Sequence, residues 1–203
     1  VSNTPANSQP ELAIEMLSDA CLPVSVDGRR IEAAVREAVA DQGFKTGEIG
    51  IRFTDDITIR QLNRDHLDHD FATDVISFPY SRNVSSLQGE MVVSVETAVR
   101  QASELGWPAE HELLLYVVHG TLHLAGLDDQ SPVDQAKMRQ AERRVMLALG
   151  IDQIDRFGPA QNEELQLGVQ QTPDDVRRDD VGHDNADSMT ARNIAVLNRG
   201  AKQ

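Results

Sequence analysis

Residues 119–129 read His-Gly-Thr-Leu-His-Leu-Ala-Gly-Leu-Asp-Asp, which sets metal-binding side chains at a spacing that a helix can use. Residues four apart in an α-helix stand on one face on successive turns, so the imidazoles of His119 and His123 can reach a single ion. Gly126, three residues further on, can end the helix in a left-handed turn and fold the chain back. That reversal carries a carboxylate, Asp129 or Asp128, toward the same ion. Two histidines and one carboxylate leave one position of a zinc ion open, as catalytic sites do and closed structural sites do not. One Zn2+ per chain, held by His119, His123 and Asp129, would acidify a bound water and polarise a phosphoryl oxygen, the two actions that phosphodiester hydrolysis needs. The spacing of His119, His123, Gly126 and Asp129 also fits the metzincin proteases, in which a Glu after the first His is the general base. Here that position is Gly120, which has no side chain to take a proton.

The elements that must position this cluster follow from periodicity. Apolar residues fill residues 113–118 with hardly a polar break, so the helix carrying His119 and His123 must be central, with Pro108 in its first turn. Asp27-Gly28 precedes a helical pattern with Ile31, Ala34, Val35, Ala38 and Val39 on one face, stopped by Gly43. Ile49, Ile51 and Phe53 alternate as in a half-buried strand, and Thr54-Asp55 can cap a short helix through Leu62. Residues 63–73 read as an acidic loop, in which His66 and His69 belong to a solvated segment rather than a second metal site. Val75–Phe78 is a strand stopped by Pro79, residues 81–89 a loop, and Met91–Val95 another strand, followed by a helix from about Glu96 to Leu105. Ser131-Pro132 opens a last helix with Val133, Met138, Val145, Met146 and Leu149 buried. The alternation predicts an α/β (α+β) single domain, a small mixed β-sheet packed with helices around the metal-binding helix.

The same residues resemble the YbeY family of metal-dependent endoribonucleases, whose signature runs His-Gly-x-Leu-His-Leu-x-Gly-x-Asp-His. The chain matches it at His119, Gly120, Leu122, His123, Leu124, Gly126 and Asp128, and places Asp129 where the family has a third histidine. Upstream, Leu62-Asn63, Asp70 and Thr73-Asp74-Val75-Ile76-Ser77-Phe78-Pro79 resemble the family's Leu-Asn-x-x-Tyr-Arg-x-x-Asp-x-x-Thr-Asp-Val-Leu-Ser-Phe-Pro. The family's Tyr-Arg pair is His66-Leu67 here, so Arg64 is the nearest residue able to supply that charge. Gly89-Glu90 is similar to the family's Gly-Asp before a strand. The resemblance implies a single-strand-specific endoribonuclease of ribosomal RNA processing, acting in small-subunit 3′-end maturation, with ribosomal RNA and the small ribosomal subunit as partners. It implies His119, His123 and Asp129 as the catalytic and metal-binding set. The alternatives are a metal-binding ribosome-assembly factor without cleavage activity and, further off, a zinc metalloprotease.

Composition bounds these readings. At 203 residues the chain fits one domain with tails: a flexible arm over 1–20, the domain over 21–151, and an acidic, polar, unstructured tail over 152–203. A single cysteine, Cys21, excludes an internal disulfide and is expected to be a small buried apolar side chain. The first twenty residues hold no Lys or Arg and no long apolar run, and no stretch could span a bilayer, so a cytoplasmic protein with no membrane partner is expected. The net charge of −14 argues against a simple nucleic-acid binder, and no DNA partner is expected. Any grip on RNA must come from the metal or a local patch, such as Arg29, Arg30 and Arg36 or Lys137, Arg139, Arg143 and Arg144.

Overall fold

A computed structural model describes residues 11–19, 27–152 and 195–196. Its elements run β1 (Leu12–Ser18), α1 (Gly28–Asp41), β2 (Thr46–Thr54), α2 (Asp56–Leu67), β3 (Val75–Arg82), β4 (Ser86–Ser94), α3 (Val95–Leu105), α4 (Ala109–Ala125), α5 (Pro132–Ala148) and β5 (Ala195–Val196). One mixed sheet has the order β1-β2-β4-β3-β5, with β1, β2 and β4 parallel and β3 antiparallel to β4. This is the mixed α/β arrangement expected from the sequence. None of the described helices is long and apolar enough to cross a membrane.

Local chemistry starts the helices. Asp27 caps α1 by accepting from the Arg29 amide at 3.0 Å, and Asp55 caps α2 by accepting from Thr58 at 2.7 Å. Ser131 accepts from the Asp134 amide at 3.1 Å with Pro132 opening α5, where a missing N–H costs nothing. α3 and α4 end at Gly106 and Gly126, both in the left-handed conformation.

The two faces of the sheet are unequal. Ile49, Ile51, Phe53, Met91 and Val93 join α1, α4 and α5 in the main core, while Ile76 and Val92 point the other way, onto Ile59 of α2. Helix α4 is buried from Glu112 through Leu124, with α1, α3 and α5 beside it and β3–β4 beneath. A helix so enclosed holds its side chains in fixed positions, which a metal site requires.

Five sequence expectations need correction. Val133, expected to be buried in the last helix, is exposed, because it lies five residues before Met138 and off the stripe of Met138, Ala141, Val145 and Met146. Leu12–Ser18, placed in a flexible arm, form an edge strand paired in parallel with Gly47–Phe53, because Leu12 and Ile14 can join the core. Residues 63–67, read as loop, extend α2 until Asp68 takes a left-handed conformation (φ 59°). Pro79 does not stop β3, which is an edge strand beyond Ser77 and bulges between Pro79 and Ser81, so a missing N–H is tolerated. The loop read over 81–89 is a tight hairpin, with β4 starting at Ser86. The tail and Cys21 lie outside the described residues, except that Ala195–Val196 pair with Ile76–Ser77.

Gly120 sets how closely α4 lies on the sheet. A Cβ there would stand 2.9 Å from Val75 Cγ2, 3.1 Å from Met91 Sδ and 3.2 Å from Ser77 Oγ. Ser77 Oγ also donates to the Gly120 carbonyl at 3.1 Å, tying strand to helix. Gly120→Ala gains about 1 kcal/mol of helix propensity but overpacks this contact, at about 1–3 kcal/mol. The clash should win, because two of the three neighbours are short side chains on β3. A thermal melt is expected to drop by about 2–4 °C for each kcal/mol of net loss. An unchanged or higher midpoint would show that the helix can ride up without cost.

Candidate metal centre

His119 and His123 sit one turn apart near the end of α4, ring centroids 4.4 Å apart. Gly126 adopts φ 106° and reverses the chain, with the Leu127 amide donating back to Leu122 O at 3.0 Å. The turn brings Asp129 onto both rings. Asp129 Oδ2 lies 3.9 Å from His119 Nε2, and Oδ1 lies 3.9 Å from His123 Nε2. One ligand atom from each of the three residues falls within 4.8 Å of the others. A tetrahedral zinc with bonds of about 2.0–2.2 Å would hold its ligands roughly 3.3–3.6 Å apart, slightly closer than this.

The tautomers point the lone pairs at the centre. His123 Nδ1 donates to the Leu127 carbonyl at 2.9 Å; a carbonyl only accepts, so the neutral ring carries its proton there and leaves Nε2 bare. Burial, reinforced by the neighbouring His119, pushes the His123 pKa down to about 3, so this ring is neutral across the physiological range. His119 Nδ1 meets the buried carboxylate of Glu142 on α5, which fixes the same tautomer. Both Nε2 atoms are buried with no hydrogen-bond partner. Two orphaned buried acceptors aimed at one carboxylate would be costly in a purely structural cluster, at about 1–3 kcal/mol each. They suit an arrangement built for a cation.

Asp129 is the half-buried member, with its side chain 23% exposed, and it forms the opening of the centre. Burial raises its pKa, and the negative charges of Asp128, Asp74 and Glu142 add to the rise, against the opposing effect of His119. Three acids in reach of one site also raise its appetite for a cation. Asp128 is exposed, and its Oδ1 accepts from the Asp129 amide at 2.8 Å, so it shapes the turn.

The other residues singled out in the sequence fall elsewhere. His66 meets the Phe78 ring edge-on and His69 stacks on Phe71, so the two do not converge on one site. Arg64 faces Asp70 at 3.6 Å and Asp65 at 3.8 Å. Ser77 and Thr73 are buried and donate to Gly120 O and Asp74 Oδ1, so neither is open to a phosphate. The basic patches are largely neutralised: Arg30 pairs with Glu110, Arg36 with Glu32, Lys137 with Asp134 and Arg144 with Asp41. Sequence reasoning missed Glu142. Its signal was a lone charge on the apolar face of α5, among Met138, Ala141, Val145 and Met146.

Asp129→Ala is expected to weaken zinc by more than the roughly 10–100-fold typical of losing an outer-shell partner. Asp128→Ala should change it less. A competition titration that ranks the two in the opposite order would place the other carboxylate on the ion.

The family model described as Endoribonuclease YbeY matches residues 23–150. A protein named Endoribonuclease YbeY from Rhodopirellula baltica is 51% identical over 117 residues, covering 57% of this chain and 60% of that one. Proteins of the same name match from Chlorobium phaeovibrioides, 36% identical over 60% of this chain and 81% of its own, and from Halorhodospira halophila, 33% identical over 71% and 95%. The chain thus spans three fifths of the Rhodopirellula relative and most of the other two.

Proposed function

Because the chain belongs to the endoribonuclease YbeY family, we propose that it is a zinc-dependent, single-strand-specific endoribonuclease of ribosomal RNA processing. Its substrate in this reading is the small-subunit ribosomal RNA, cut toward maturation of the 3′ end in the cytoplasm. The observation that carries the proposal is the pair of buried, unpartnered Nε2 atoms facing Asp129. When bound, zinc supplies Lewis acidity to a phosphoryl oxygen and lowers the pKa of a water.

The chain's own residues supply the rest. His119 and His123 present their Nε2 atoms from an enclosed helix, and Glu142 and the Leu127 carbonyl hold the rings in register. Asp129 contributes a negative charge where the family has a neutral imidazole, which lowers the net charge of a loaded centre by one. Two-His, one-carboxylate sets are known among catalytic zinc sites, so this departure is compatible with hydrolysis.

Protease chemistry finds no support. The position after His119 is Gly120, whose missing Cβ is occupied by Val75, Met91 and Ser77. No general base can stand there. A metal-binding assembly factor without cleavage remains the outcome that experiment must exclude. The test is a ribonuclease assay on single-stranded RNA before and after chelation. Cleavage lost on chelation and restored by zinc supports the proposal; stoichiometric zinc without cleavage overturns it.

A further inference from the structure

Strand β3 lays Val75 and Ser77 over α4, opposite Val93 and Met91 of β4, while Ile76 and Phe78 face α2. Unbroken alternation would put Ser81 on the α4 face and send Arg82 to the far side. Instead the register shifts between Pro79 and Ser81, and Arg82 comes opposite Leu87, a buried residue of the main core. One extra residue in a strand moves every later side chain to the other face, a recurrent device for re-aiming a side chain beside a site. The bulge at Tyr80 thus turns Arg82 onto the side that carries the metal centre.

There Arg82 lies against Gly126. A Cβ built on that glycine would fall 1.9 Å from Arg82 Nη1, which places the guanidinium directly on the turn; the φ of 106° is what requires glycine there. Gly126 is three residues past His123 and three before Asp129, in the loop that shapes the centre. Arg82 is exposed, and its guanidinium holds no carboxylate among the described residues. Arg30, Arg52, Arg60, Arg100 and Arg144 each grip a carboxylate at 3.1 Å or less, whereas Arg29, Arg139 and Arg143, on α1 and α5, also hold none among the described residues. In a chain of net charge −14, an unspent guanidinium at the rim of an acidic centre is the group best placed to receive a phosphate.

We propose that Arg82 is a substrate-positioning residue that holds a backbone phosphate of single-stranded RNA beside the His119–His123–Asp129 centre. This rests on the endoribonuclease reading. The competing role is purely structural, a cation resting on the C-terminal end of α4.

The experiment compares the zinc-loaded full chain with Arg82→Gln and Arg82→Lys on a labelled single-stranded RNA oligonucleotide. Arg82→Gln is expected to raise KM about 10–100-fold, the worth of one charged hydrogen bond, with a smaller change in kcat. The slope of log affinity against log salt should shrink by about 0.7, one phosphate contact on a single strand. Zinc content and thermal midpoint should stay at wild-type values, and Arg82→Lys should recover the salt slope. Unchanged KM and slope in Arg82→Gln overturn the proposal, as does a lowered midpoint with unchanged KM, which marks the structural role. A wild type that holds zinc but neither binds nor cuts RNA fails the endoribonuclease reading before any variant is compared, and takes this proposal with it.

Discussion

Replacing His119 and His123 together with alanine should reduce bound zinc from one equivalent to background and abolish RNA cleavage. The two Nε2 atoms are the nitrogen donors of the centre, and without them Asp129 is the one member left of the three-residue set. Thermal stability reports the same loss. Zinc at about a hundred times its Kd stabilises a protein that binds it only when folded by about 2.7 kcal/mol, roughly 5–10 °C for a chain of this size. The wild type should show that rise, and the double variant none. Losing His119 also strands the buried Glu142 carboxylate, so the double variant should melt below the metal-free wild type, and its response to zinc is read against its own metal-free midpoint. Its flat response to zinc then separates lost binding from lost fold. A double variant that retains stoichiometric zinc would put the ion elsewhere.

Glu142→Ala is the second large effect. The carboxylate lies on a different helix from the ligands, yet it fixes the His119 tautomer from a fully enclosed position. Its removal strands the buried Nδ1–H and frees the ring to turn. Zinc affinity should fall about 10–100-fold, and metal-free stability by about 1–3 kcal/mol for the unsatisfied donor. Glu142→Gln keeps an acceptor oxygen and loses the charge, so it should keep most of the stability and recover only part of the affinity. Wild-type affinity in both variants would show that the His119–Glu142 contact does not tune the centre.

What the sequence disclosed tracks the range of the interaction. The histidine pair, the Gly126 turn and Asp129 lie within the eleven residues 119–129, where spacing alone decides the geometry. Helix starts at Asp27, Asp55 and Ser131 were legible for the same reason, since a cap is a bond to an amide two or three residues on. Glu142 was not legible, because its role depends on how α5 packs against α4, and helical periodicity says only which face is inside. Arg82 was hidden because Pro79 was read as the end of the strand and residues 81–89 as a loop, and even simple alternation through Pro79 would assign it to the wrong face of the sheet. β1 was missed because an edge strand half exposed to solvent has a weak apolar pattern; Leu12 alone is fully buried. The sequence resemblance led to Arg64 as a replacement cation, whereas the structure sets it against Asp70.

The most direct test of the whole account is a zinc titration of the metal-free full chain, with cleavage of single-stranded RNA followed at each step. Activity should be absent at the start, rise in proportion to added zinc and level off near about one equivalent per chain, with no rise at all in the His119→Ala/His123→Ala variant. Cleavage by the metal-free protein, or equal cleavage by the double variant, would contradict the assignment of the reaction to this centre.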